Sequence, residues 1–323
     1  MSNMISRRAV LTGLAAASLG ARQARAAEKL RVGKAVAEVF GYVPLDVGMT
    51  YGIFEKHGLD IDELIFAGGN KMVQAMVAGG VDIALSSGAE IALVGKGAPE
   101  IAVATITDSP AFMAIVVGSQ YHGDGVDSLK GKKIGVTTSG SLTEWIVEEL
   151  NLARGWTGGD RAQPVAIGGS PTAAFAALKL GQIDADIGGL STGYQLEELY
   201  QGRLLIDCSA YIKSIQLFTI FASNAIVRQN PDAVRRFVKG WLESVAFMQT
   251  HRAESIPIAV KSAGWSTGVS ERTYDAIMAK FSPDGRFRAE AMETLRQSFA
   301  DLKTLPEPID ISKFYTEQFL PGT

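Results

Sequence analysis

The sequence predicts an α/β protein built from two similar lobes, and three observations predict it. Short β-rich segments alternate with helix-period segments through most of the chain. The length, 323 residues, corresponds to about two domains. One pattern is also written twice: residues 68–88 read GGNKMVQAMVAGGVDIALSSG, and residues 168–189 read GGSPTAAFAALKLGQIDADIGG. Each copy has two glycines, a short polar residue, a run of small or apolar residues, then a glycine followed by an aspartate. That is the writing of a turn, a helix and a strand.

Residues 1–26 stand outside this scheme. Ser6-Arg7-Arg8-Ala9-Val10-Leu11 opens a weakly apolar run ending at Ala24-Arg25-Ala26, the layout of a signal peptide with an A-x-A cleavage site. The paired arginines resemble a twin-arginine export signal, and the run is too short and broken to stay as a membrane anchor. After it, a strand at Lys29 to Ala35 leads through a Gly-containing loop into a helix that carries Leu45, Met49 and Ile53 and ends at Gly58. Strand Asp60 to Phe66, helix Lys71 to Ala78, strand Val81 to Leu85 and strand Ile101 to Thr107 complete a first unit. The second unit has strand Lys133 to Thr137, helix Ser141 to Arg154, strand Pro164 to Ile167, the second copy of the pattern, and strand Leu204 to Asp207.

The β-rich run Gln216 to Val227 reads as the way back, because an Asn230-Pro231 helix start and then only helices follow. Helix Pro231 to Thr250 carries Val234, Phe237, Val238, Trp241, Leu242 and Val245 on one stripe, and a helix over Arg288 to Leu302 does the same with Met292, Leu295, Phe299 and Leu302. The last third has no sheet of its own to cover, so it is expected to return to the first sheet. The chain then crosses between lobes twice, and two extended crossings suit a hinge. The expected division is 27–107 with 224–323 as the first lobe and 108–223, crossings included, as the second.

Composition excludes several classes. The net charge is -3, and loss of residues 1–26 removes four arginines and no acid, which argues against a nucleic-acid partner on electrostatic grounds. Cys208 is the only cysteine, so there is neither a disulfide framework nor a lipid-anchored cysteine at the cleavage site. Its place at the end of an apolar strand reads as a core position. His57, His122 and His251 have no partner at metal-ligand spacing, and no nucleophile elbow, phosphate loop or dinucleotide fingerprint occurs. Neither metal nor cofactor is expected, and no catalytic residue is assigned.

The sequence offers instead five strand-to-helix turns of Gly, Ser, Thr and Asn: Gly68-Gly69-Asn70, Ser86-Ser87-Gly88, Thr137-Thr138-Ser139-Gly140-Ser141, Gly168-Gly169-Ser170-Pro171 and Gly188-Gly189-Leu190-Ser191-Thr192. In a parallel α/β lobe such turns lie at the carboxyl ends of strands, where ligands bind. Small residues let backbone N–H groups approach a ligand. Taken singly, each turn also reads as ordinary capping: Ser170-Pro171 is an N-cap with proline at N1, and Ser87-x-x-Glu90 and Ser141-x-x-Glu144 are capping boxes. Asp82 and Asp184 start apolar strands and read as structural, whereas Asp108 lies on the first crossing and borders a cleft. Phe40 and Tyr42 sit on a loop rather than a helical stripe, while Trp145 falls on a core face with Leu142, Ile146 and Leu150. None of the turns contains arginine, which disfavours a doubly charged anion and favours a small organic molecule.

AEVFGYVPLDVGMTYGIFEKHGLDIDELIF, AGGVDIALSSG, SLKGKKIGVTTSGSLTEWIVEEL and NPDAVRRFVKGWLESV resemble the substrate-binding proteins of ABC importers of the sulfonate, nitrate, taurine and thiamine-pyrimidine-precursor type. The resemblance covers nearly all of the chain beyond the signal. It implies the two-lobed periplasmic-binding-protein fold of type II, with ligand in the interlobe cleft and Venus-flytrap closure. The implied contacts are Phe40, Gly41, Tyr42, Asn70, Ser86, Ser87, Asp108, Thr138, Ser139, Gly140, Ser141, Ser170 and Ser191. It further implies a soluble, monomeric periplasmic protein, not an enzyme, that serves an inner-membrane ABC permease and its ATPase. The ligand implied is a sulfonate, a carboxylate or a pyrimidine-like molecule. The family also holds a fungal enzyme that makes the thiamine pyrimidine and depends on a cysteine-rich segment, which a chain with one cysteine lacks. Such an enzyme, or a periplasmic sensor subunit, is the alternative reading.

Overall fold

The computed structural model describes residues 27–168 and 170–322, so the expected export signal, residues 1–26, lies outside the described residues. The first lobe begins with β1 (Glu28–Lys34), α1 (Val43–Thr50), α2 (Ile53–Lys56), β2 (Leu59–Ile65), α3 (Gly69–Val77), β3 (Ile83–Ser87), α4 (Ile91–Gly95) and β4 (Glu100–Thr107). The second holds β5 (Met113–Val117), β6 (Lys133–Val136), α5 (Leu142–Arg154), β7 (Gln163–Ala166), α6 (Pro171–Lys179), β8 (Ala185–Gly189), α7 (Leu190–Tyr200) and β9 (Arg203–Asp207). The chain closes with β10 (Phe218–Ser223), α8 (Asn224–Gln229), α9 (Pro231–Thr250), α10 (Arg252–Ala263), α11 (Thr267–Ile277) and α12 (Ala289–Asp301).

The strand orders are β2-β1-β3-β10-β4 and β7-β6-β8-β5-β9. In each sheet four strands run in one direction, and one strand, β10 or β5, runs antiparallel to both of its neighbours. The two sheets therefore share one topology, and each takes its antiparallel strand from just beyond a crossing. Residues 108–112 make the first crossing and residues 208–217 the second, because β10 is hydrogen-bonded within the first sheet.

The duplicated pattern has one structural meaning in both places. Asp82 Oδ2 accepts the backbone N–H of Arg31 at 3.0 Å, and Asp184 Oδ2 accepts that of Lys133 at 2.9 Å, each donor lying 51 residues earlier. Each aspartate thus ties the start of one parallel strand to its neighbour, at the middle of β1 and at the first residue of β6. Gly79 and Gly181, at φ +74° and +67°, end the two helices in the left-handed region that favours glycine.

Three expectations need correction. The helix after the first strand is broken at Tyr51-Gly52, where Gly52 takes φ +64°. The run 216–227 is not continuous strand: Ser223 Oγ accepts the N–H of Ile226 at 3.2 Å and starts α8. The C-terminal helices also do more than cover the first sheet. α9 and α10 pack on α1, but α11 reaches α7 and α12 reaches α5, both in the second lobe. Arg272 of α11 lies 4.0 Å above the Tyr194 ring and 2.6 Å from Glu197 Oε2, while Ser266 Oγ donates to Glu198 at 2.7 Å.

Lys34, the last residue of β1, is 2% exposed. Its Nζ lies 2.6 Å from Asp46 Oδ2 and 2.5 Å from Glu63 Oε1, and Ser262 Oγ donates to Asp46 at 2.7 Å. This ion cluster fastens α1 and α10 to the ends of β1 and β2. Among the described residues no helix is long and apolar enough to cross a membrane.

Candidate functional site

The expected contacts fall at the carboxyl ends of parallel strands in both lobes. In the first lobe, Asn70 is exposed in the first turn of α3, whose N-cap residue Gly68 takes φ +108°. Ser87 is half-buried at the end of β3. In the second lobe, Thr138, Ser139 and Gly140 form an exposed turn after β6. Ser170 is exposed at the N-cap of α6 with Pro171 behind it, yet its hydroxyl makes no cap bond and stays available. Ser141 instead caps α5, its Oγ accepting the N–H of Glu144 at 3.3 Å, while Glu144 reaches back to the N–H of Gly140. Ser191, in the first turn of α7, is buried.

The capping box expected of Ser87 and Glu90 does not form. Ser87 makes no side-chain cap bond, and Ser86, fully buried, donates its hydroxyl to Glu90 Oε1. The reason is positional: β3 runs on to Ser87 because Ser86 and Ser87 pair with Thr219 and Phe218 of β10. The next helical turn therefore starts with Ser87 still extended.

Phe40, Gly41 and Tyr42 form a short 3-10 turn after β1, and all three are buried. Phe40 stacks on Trp265 (6.3 Å, 7° between planes), meets Tyr274 edge-on and lies tilted by 54° against Phe281. Tyr42 meets Phe218 at 5.6 Å, and Phe112 lies 5.9 Å from Phe218 and 5.3 Å from Phe281. A side chain at Gly41 would come within 3.0 Å of the Phe218 ring. These rings join the first-lobe loop, the first crossing, the start of β10 and the C-terminal segment into one cluster at the hinge, buried except for the half-buried Phe218. Trp265 and Phe281 were invisible as members, since they lie more than two hundred residues from Phe40 with no spacing to announce them.

Asp108 is half-buried on the first crossing, and its carbonyl accepts the N–H of Ile215 at 3.1 Å from the second crossing. Its side chain borders a cavity of about 300 Å³ shared with Ser109, Lys213, Ser214, Lys280 and Arg288. That cavity lies beside the outer edge of β4, where the N–H of Ser282 bonds the carbonyl of Ile106. Asp108 thus follows the carboxyl end of β4 directly, at the hinge.

Sequence reasoning missed two carboxyls. Glu90 was read as a helix-start residue, but burial pushes its carboxyl up to about 7, opposed by the Ser86 hydrogen bond. Asp186, in β8 opposite Gly135 of β6, is 5% exposed, and burial pushes it too to about 7. The signal for Asp186 was present as a charged residue inside an apolar strand. Cys208 is buried as expected, with Tyr211 donating to its sulfur at 3.4 Å, and burial pushes the thiol up to about 12. Trp145 is a core residue on the buried face of α5.

A family model described as NMT1/THI5 like matches residues 41–255. The chain belongs to the NMT1/THI5-like family. A relative in Brucella abortus (strain 2308), named as a putative binding protein, is 29% identical over 236 residues, covering 72% of this chain and 70% of that one. A Saccharomyces cerevisiae protein, 4-amino-5-hydroxymethyl-2-methylpyrimidine phosphate synthase THI13, is 28% identical over 211 residues, 61% of this chain and 60% of its own. Among solved structures, the periplasmic aliphatic sulphonate binding protein SsuA from Escherichia coli superposes with a TM-score of 0.74 at 20% identity, covering 90% of this chain and 92% of that one. This NMT1/THI5-like chain therefore has the fold of periplasmic binding proteins of ABC import systems.

Proposed function

We propose that the protein is an exported solute receptor. It captures a small organic molecule between its lobes, residues 27–107 with 218–322 against residues 108–217, and delivers it to an inner-membrane ABC permease. The observation that carries this reading is the duplicated layout. Two sheets of identical topology each end in turns of small polar residues, Asn70 and Ser87 in one and Thr138 to Gly140 and Ser170 in the other. Exposed helix starts and free hydroxyls suit capture by hydrogen bonds from both sides. Closure then gains affinity because only the closed state makes both sets of contacts. The cluster of buried Phe40, Tyr42 and Phe112 with the half-buried Phe218 holds the pivot.

Export by the twin-arginine route and a periplasmic location belong to the same proposal, and so does the assignment of Phe40 to Tyr42, Ser86, Asp108, Ser141 and Ser191 as supports of the contact turns. The likeness to SsuA supports transport. The likeness to THI13 favours a second reading, a pyrimidine-precursor synthase, against which stand a single buried cysteine and the larger share of the chain covered by the binding-protein relatives.

Thermal-shift screening of the mature protein with organic sulfonates, carboxylates, amines and pyrimidines tests the receptor reading. A ligand at one hundred times its Kd adds about 2.7 kcal/mol, a shift of several degrees. Asn70→Phe, Ser87→Phe and Ser139→Phe should each abolish the shift while leaving the unliganded protein folded. Undiminished binding in all three, or turnover of the bound molecule, would overturn it.

A further inference from the structure

The cavity at the hinge is walled by three segments that meet nowhere else. Its volume is about 300 Å³, and of the expected contacts only Asp108 lines it. Asp108 and Ser109 come from the first crossing, Lys213 and Ser214 from the second, and Lys280 and Arg288 from the C-terminal segment. The two crossings are fixed to each other: the N–H of Ile215 and the hydroxyl of Ser214 both donate to the Asp108 carbonyl, at 3.1 and 3.4 Å. The C-terminal wall is fixed to β4, where Thr107 Oγ1 donates to the Lys280 carbonyl at 2.7 Å and the N–H of Ser282 donates to the carbonyl of Ile106 at 2.8 Å. No hydrogen bond or ion pair of Lys213 reaches the C-terminal wall among the described residues.

The lining is rich in donors that nothing takes up. Arg288 spends one nitrogen on Asp284, its Nη2 lying 3.0 and 2.9 Å from the two carboxylate oxygens, while Nε and Nη1 have no acceptor among the described residues. Lys213 and Lys280 form no ion pair among them either. The Ser109 hydroxyl accepts the N–H of Ala111 at 3.4 Å, and its own proton has no acceptor among the described residues. Three cations stand against two acids, Asp108 and the Asp284 paired with Arg288, which leaves a positive excess. On a convex surface such charges are screened, whereas a concave wall of low dielectric focuses their field on an anion. Phe281, also on the lining, lies 5.3 Å from Phe112 in the ring cluster, so an occupant meets the pivot itself.

We propose that this cavity is a second binding site, for a small oxyanion bearing a carboxylate or phosphate group. Arg288 donates from the nitrogens not used on Asp284, and Lys280 and Lys213 add charge from two different walls. Hydrogen bonds between charged partners are the strong ones, so such an occupant is a firm cross-link. It ties the second crossing to the segment fixed on β4 and stiffens the pivot on which the lobes move. The site goes beyond the receptor reading: its occupant is an effector of closure, not the captured molecule, and it needs that reading only for what the stiffening regulates.

Isothermal titration and amide hydrogen exchange on the mature protein test this with acetate, succinate and inorganic phosphate, each compared with sodium chloride at equal ionic strength. At least one oxyanion should bind saturably and slow exchange in residues 208–217 and 279–288, the segments it cross-links. The double variant Lys213→Ala, Lys280→Ala breaks no ion pair among the described residues and should fold. It should weaken binding by about tenfold or more, and a smaller loss overturns the site. An effect no greater than that of sodium chloride is screening alone and overturns it too, as does binding that leaves exchange in both segments unchanged. Ser139→Phe should bind the oxyanion as the parent does. Loss of binding in that variant would make the oxyanion the captured molecule, which overturns the hinge site while supporting the receptor reading; the receptor reading itself fails only in the ligand screen above.

Discussion

Glu100, the first residue of β4, is 1% exposed, and neither oxygen of its carboxylate has a hydrogen-bond partner among the described residues. Burial, with the charge of Glu90 added, pushes the carboxyl up to about 8 from an ordinary 4.5. In the unfolded chain the group ionises at its ordinary value. Between the two values the folded protein holds a proton that the unfolded chain has released, so stability falls as pH rises through that window. From pH 5 to pH 8 the loss from this one group is on the order of 3 kcal/mol. Glu100→Gln has the same shape and no charge to bury. It should match the parent within about 1 kcal/mol at pH 5 and exceed it by about 3 kcal/mol at pH 8. Urea unfolding at the two pH values and equal ionic strength measures the difference. Glu90 and Asp186 are present in both proteins and largely cancel, apart from the coupling between Glu90 and Glu100. Parallel pH dependence in parent and variant would refute the reasoning, because it would mean that Glu100 ionises in the folded protein like a surface carboxylate.

Lys34→Met removes the cation from a buried cluster and leaves Asp46 and Glu63 facing each other. The expected loss is about 3 kcal/mol in urea unfolding at neutral pH, and a loss below about 1 kcal/mol would show that the two carboxylates find water instead. Cys208, with its thiol pushed up to about 12 and no exposure, should resist an aromatic disulfide reagent at pH 8 in the folded protein and react completely in urea; rapid labelling without denaturant would contradict its place in the core.

Local signals made some elements legible to the residue. α9 begins at Pro231 because Asn230 caps it, its side chain accepting the N–H of Ala233 at 3.1 Å, and ends at Thr250 as its apolar stripe ends. The roles of Asp82 and Asp184 were equally legible, since a carboxylate directly after a helix end and before a strand has backbone N–H groups within reach. What escaped depended on partners remote in sequence. β3 extends to Ser87 only because β10 lies beside it, and that shift turned an apparent capping pair into a buried Ser86–Glu90 contact. Asn224 to Gln229 is rich enough in branched residues to pass for strand, but Ser223 caps it as a helix. Nothing local tells that Arg272 will lie over Tyr194, so the bridge from α11 to the second lobe was unreadable.

The duplication separates scaffold from selectivity. Where the two lobes agree, in the strand-start aspartates, the helix-ending glycines and the strand order, the agreement is explained by backbone hydrogen bonding and left-handed turns. These features would serve a cleft for any small molecule. Where the lobes differ, the difference lies in buried carboxyls: Glu90 stands in the turn after β3, whereas α7 carries Thr192 close to Gly188 in the corresponding turn, and the second lobe's carboxyl is Asp186, within β8. A ligand held by the repeated turns alone would bind either way round, since both lobes present helix starts and hydroxyls. A carboxylate set at a different depth in each lobe breaks that equivalence.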